Sequence, residues 1–117
     1  MRARFIYALP LAMALAAPFA QAEPDLEKGK SSYGTYCVTC HGTTGDGQGP
    51  VGKTLNPPPR DFTAGDFKFG DSDQEIFDVI SNGAASKGGS PLMAPWGMVI
   101  PEADRWAIVA YIRSLKK

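Results

Sequence analysis

Residues 37–41 read Cys37-Val38-Thr39-Cys40-His41, and they contain both cysteines and the single histidine of the 117-residue chain. On a helical turn, positions i, i+3 and i+4 share one face. Two thiols and an imidazole at this spacing therefore point the same way. A C-x-x-C-H run is the attachment signature of c-type haem. Cys37 and Cys40 can add across the two vinyl groups of one porphyrin, and His41 then projects its imidazole at the iron. Other readings weigh less. Thioredoxin-like exchange uses C-x-x-C in a βαβ setting that this chain lacks. A structural zinc site takes a full tetrahedral set of Cys and His ligands, and only three such residues exist. A Cys37–Cys40 disulfide would close a very small loop. The motif thus implies one covalently held haem c, with His41 as an iron ligand.

Upstream, residues 1–22 read as a secretory leader. Arg2 and Arg4 make a short basic start, an apolar stretch runs from Phe5 to Ala20, and Ala20-Gln21-Ala22 is an A-x-A cleavage site. Cleavage after Ala22 would leave residues 23–117 as one domain in the periplasm. An uncleaved anchor is the alternative. The stretch is interrupted by Pro10 and Pro18 and is shorter than the ~20 apolar residues a spanning helix needs. No membrane span is expected in the mature chain.

The remaining 95 residues carry 10 basic and 12 acidic side chains. So weak a charge argues against nucleic acid or an anionic membrane as partner. All 13 glycines and 8 of the 10 prolines also lie there. A short chain so rich in helix breakers buries only a modest core and needs a staple. A flat apolar porphyrin would supply one.

Three segments have helical character. The first runs from about Pro24 to Cys40, with Asp25 and Glu27 in its first turn and Gly29, Tyr33 and Cys37 along one face. The second runs from about Asp73 to Asn82, capped by Ser72 or Asp71 and ended by Gly83, with Ile76, Phe77, Val79 and Ile80 as its stripe. The third runs from about Pro101 to Leu115, with Trp106, Val109, Ala110 and Ile112 on its apolar side and Tyr111 beside it. The stretches between them read as loops, long enough to wrap a haem. The fold expected is all-α: three to four helices around one cofactor.

Two methionines remain for the far side of the iron, Met93 and Met98. Met93 lies in Ser90-Pro91-Leu92-Met93-Ala94-Pro95-Trp96, where flanking prolines would hold its thioether in a stiff segment. Met98 is the alternative ligand, and core filling is the ordinary role of any methionine. Gly47-Gln48-Gly49-Pro50-Val51-Gly52-Lys53-Thr54 satisfies the P-loop pattern. That motif needs a strand before it and a helix after it. Leu55-Asn56-Pro57-Pro58-Pro59 follows instead, so phosphate binding is set aside.

The chain resembles the class I cytochrome c family over nearly all of residues 23–117. The likeness rests on Cys37–Gly42, Gly45-Asp46-Gly47-Gln48-Gly49-Pro50, Leu55–Phe62, Met93-Ala94-Pro95-Trp96 and Asp104–Ile112. It implies the cytochrome c fold, with Gly29 and Tyr33 of the first helix packed on Ile108 and Tyr111 of the last. It also implies that the carbonyl of Pro50 accepts the proton on the far nitrogen of His41. Pro101 departs from the serine or aspartate cap common in the family. Arg60 and Trp96 carry N–H groups able to donate to the haem propionates. The alternatives are a solvated arginine and a tryptophan that covers the porphyrin. The function expected is a monomeric periplasmic carrier, not an enzyme. It would pass single electrons between transiently docked redox partner proteins through His41/Met93-ligated iron. The alternative is an electron-transfer haem subunit of a dehydrogenase, oxidase or reductase complex.

Overall fold

The structure, a computed structural model, describes residues 2–14 and 23–117. Residues 2–14 form no regular element, and the expected cleavage site Ala20-Gln21-Ala22 lies outside the described residues. The regular elements are helices α1 (Leu26–Tyr36), α2 (Val38–His41), α3 (Asp73–Asn82) and α4 (Glu102–Ser114). Single 3-10 turns occur at Gly52–Thr54, Phe62–Ala64 and Ala84–Lys87, and no strand occurs among the described residues. The all-α expectation holds. No helix among the described residues is long and apolar enough to cross a membrane.

Local chemistry sets the helix ends. Asp25 stands just before α1 and accepts the amides of Glu27 and Lys28 at 3.0 and 3.2 Å. It is therefore a cap rather than a first-turn residue, because a carboxylate placed there reaches the orphan amides. The first helix also ends sooner than its periodicity predicts. Cys37 closes α1 with its amide on the Tyr33 carbonyl, and its own carbonyl accepts His41 N at 2.8 Å to begin α2. Ser72 and Glu75 exchange hydrogen bonds of 3.1 and 3.0 Å in a capping box on α3. Pro101 precedes α4 without a side-chain cap, as its missing hydroxyl or carboxylate dictates.

The two terminal helices cross at Gly29. A Cβ built there would overlap the carbonyl of Ala107 and meet Tyr111 Cβ at 3.0 Å. Beside this crossing Tyr33 packs edge-on against Tyr111, with ring centroids 5.1 Å apart. Tyr33 is buried, and its hydroxyl donates to the Gly42 carbonyl at 2.7 Å. Burial raises the pKa of that phenol, so it stays protonated and keeps the bond. Ile108 is wholly buried beneath the crossing, as the family likeness implied. Phe62, Ile76, Ile80, Ile100, Val109 and Ile112 complete the core. Gly29→Ala is expected to lower stability by about 1–3 kcal/mol, the range for forced overpacking. The check is the denaturant midpoint at unchanged m. A midpoint equal to wild type would contradict so close a crossing.

Candidate functional site

One cavity of about 510 Å³ opens beside the core, and Cys37, Cys40, His41 and Met93 all line it. Its size lies within the ~300–1,000 Å³ typical of small-molecule sites. Ile76, Val79 and Ile80 of α3 give it an apolar wall, faced by Phe62 and Phe67.

The motif is held from behind by the glycine-rich loop. The carbonyls at the end of the short α2 have no helical partners. Val51 N bonds to Thr39 O at 2.9 Å, Gly49 N to Cys40 O at 3.2 Å, and Gly47 N to His41 O at 2.8 Å. A Cβ on Gly49 would strike Thr39 and Val38 carbonyls, and one on Gly52 would strike the Cys40 carbonyl. The glycines of the P-loop look-alike thus press backbone against backbone behind the motif. Cys37 and Cys40 form no disulfide, and burial, followed by the nearby Cys40, pushes the Cys37 thiol up to about 12. Disulfide-exchange enzymes lower the pKa of the attacking thiol. Cys37 has the opposite setting.

His41 is fixed on two sides. Its ring stacks on Phe62, centroids 4.4 Å apart and 16° from parallel. Its Nδ1 lies 3.1 Å from the carbonyl of Arg60. An Nδ1–H donated to that oxygen leaves Nε2 with a free lone pair, the form a metal takes. Burial lowers the imidazole pKa and so favours the neutral ring, partly offset by the Arg60 bond, which acts in the opposite direction. The carbonyl of Pro50, given this role by resemblance, is not the partner. The amides of Gly49 and Val51 bind Cys40 and Thr39 and leave Pro50 exposed between them. Meanwhile Phe62 N bonds to Gly45 O at 2.7 Å and brings the 60–62 segment against the imidazole.

Met93 sits on a strap tied to α3. The last carbonyls of that helix also need partners, and Trp96 N reaches Ile80 O at 2.9 Å while Gly97 N reaches Ser81 O at 3.0 Å. Just beyond the helix, Ala84 N bonds to Met93 O at 3.1 Å. Gly83 there has φ +80°, and a Cβ on it would crowd the Met93 carbonyl at 2.9 Å. Met98 is fully exposed and does not line the cavity. Trp96 lines the cavity and packs against Tyr36 at 5.4 Å. Arg60 also reaches the wall, but its guanidinium engages Asp66, with Nε on the carbonyl at 2.9 Å and Nη2 on the carboxylate.

These groups fit a haem c. Two thiols and an imidazole come from one short stretch, a thioether comes from another, and aromatic and branched side chains fill the wall between. The parts played by the Arg60, Ile80 and Ser81 carbonyls escape a reading by residue type, because any residue supplies a carbonyl. Phe62, inside the recognisable Leu55–Phe62 run, is the one nearby signal.

Residues 24–112 match the family described as cytochrome c oxidase, cbb3-type, subunit III. A curated relative, the cbb3-type cytochrome c oxidase subunit CcoP of Azospirillum brasilense, is 28% identical over 89 residues. That alignment covers 76% of this chain but 28% of the relative. Among solved structures, a chain of the Kuenenia stuttgartiensis reducing HAO-like protein complex Kustc0457/Kustc0458 superposes with a TM-score of 0.67 at 33% identity. It shares 77% of this chain and 42% of its own length. The signature pentapeptide, the all-helical fold and these matches agree: the chain belongs to the cytochrome c oxidase, cbb3-type, subunit III family, a family of c-type cytochrome domains that carry haem c.

Proposed function

We propose that residues 23–117 form a single-haem electron-transfer domain. In this reading Cys37 and Cys40 would hold the porphyrin, and His41 and Met93 would ligate its iron. The observation that carries the reading is one cavity lined by all four side chains. Haem supplies reversible one-electron exchange at iron. The chain's residues set the terms of that exchange. The Arg60 carbonyl holds His41 in the tautomer with Nε2 free. The Met93 thioether would favour the reduced metal and raise the potential. Ile76, Val79, Ile80 and Phe67 exclude water from the wall. With His41 and Met93 both on the iron, no position would be left for a substrate. His41 is the single histidine, so no second imidazole serves as acid or base. The domain is therefore a conduit rather than a catalyst.

The leader-like residues 1–22 support export to the periplasm. Both relatives are components of larger assemblies by name, one a subunit and the other part of a complex. This favours a haem subunit of an oxidase or reductase at least as strongly as a free monomeric carrier. A potentiometric titration with optical detection tests the core reading. One wave with a one-electron slope is expected, with no catalytic consumption of oxygen or peroxide. Two resolved waves, or turnover of peroxide, would refute it. Gel filtration of the native extract then separates carrier from subunit.

A further inference from the structure

At the C-terminal end of α3 a charged side chain is held where no surface role requires it. Arg105 of α4 lays its guanidinium over Phe77, 4.8 Å from the ring centroid. Phe77 in turn stacks on Trp106 at 4.0 Å and 11°. Nη1 of Arg105 donates to Ser81 Oγ at 2.6 Å, and its Nε is buried without an acceptor among the described residues. A buried donor left unpaired is costly, so this side chain is placed by its stacking and by Ser81 rather than by solvation. The cation also lies beside the negative end of the α3 dipole. Ser81 is the same residue whose carbonyl receives Gly97 N. Gly97 is wedged there: a Cβ would lie 2.9 Å from Ser81 O and 3.2 Å from Arg105 Nη1.

We infer that Arg105 is a positioning residue for the methionine strap: by fixing Ser81 and the end of α3, it holds residues 93–97 closed and keeps the Met93 thioether on the iron side. The inference rests on Met93 being the ligand. Arg113 gives the contrast. It joins the same two helices at their other end, through the Asp73 carboxylate and the Asp71 carbonyl. Neither group belongs to the strap.

The test uses the holoprotein and cyanide as the competing ligand. The readouts are the rate at which cyanide replaces the thioether, the thioether-to-iron charge-transfer band and the midpoint potential. Arg105→Gln is expected to speed replacement about tenfold, the scale of losing one charge-assisted hydrogen bond from a closed segment. Ser81→Ala, a milder change that spares the stacking, moves the rate in the same direction. Arg113→Ala lowers thermal stability and leaves the rate and the band as in wild type. Unchanged cyanide kinetics in both Arg105→Gln and Ser81→Ala would reduce Arg105 to a helix brace and overturn the inference. An unchanged band in Met93→Ala would instead overturn the ligand assignment beneath it, so the two failures are distinct.

Discussion

Replacing Cys37 and Cys40 together by alanine is expected to give a chain that releases its porphyrin into acidified organic solvent and does not remain folded once the porphyrin is gone. The argument is one of magnitudes. The site is a cavity of about 510 Å³ in a 117-residue chain. At roughly 24 cal/mol per Å³, an unfilled internal cavity of that size would cost ~12 kcal/mol. Water entering from the open side makes this figure an upper bound, to be set against the ~5–15 kcal/mol that holds a domain together. Covalent attachment keeps the filling group at high effective concentration, so it cannot be diluted away. The measurement is far-UV circular dichroism through a thermal scan of the wild type and the double variant, after solvent extraction of each. A double variant that kept wild-type cooperativity without porphyrin would show that the helices need no filler.

Met93→Ala is expected to have the second large effect, confined to the iron. The thioether would be lost from a wall that otherwise stays in place, because the strap is held by backbone bonds to Ile80, Ser81 and Ala84. The charge-transfer band should vanish, cyanide should bind without first displacing a protein ligand, and the potential should fall. Axial ligation spans ~0.8 V across haem proteins, so a drop of tenths of a volt is the scale expected. Met98→Ala supplies the control. That side chain is fully exposed and outside the cavity, and its loss should alter none of the three readouts. The reverse pattern would assign the ligand to Met98.

The sequence was most legible where covalent chemistry or helical periodicity dictates residue type. Cysteines and histidine at fixed spacing could be read directly, because attachment requires those atoms on one face. Helices α3 and α4 were legible from stripes and caps, and Gly29 against the last helix followed from the family likeness. The break at Cys37 was not legible, since Gly29, Tyr33 and Cys37 continue one face right up to it. The family likeness implies Pro50 as the partner of His41, whereas the structure puts the Arg60 carbonyl there, for a related reason. A carbonyl has no side-chain signature, and which one arrives depends on loop 42–52 turning Pro50 outward while Phe62 N anchors on Gly45. Arg60 was singled out for its guanidinium, which is bound to Asp66. Its main-chain carbonyl is what meets His41. The Arg105–Ser81 contact spans 24 residues and emerges only when α3 and α4 are brought together.

The most direct test of the central claim is mass spectrometry of the exported protein under fully denaturing conditions, with peptide mapping across residues 37–41. One porphyrin should stay attached after unfolding, carried by a single peptide through both sulfurs. A peptide containing Cys37 and Cys40 at its bare mass, from protein made alongside a working haem-attachment system, would contradict the account.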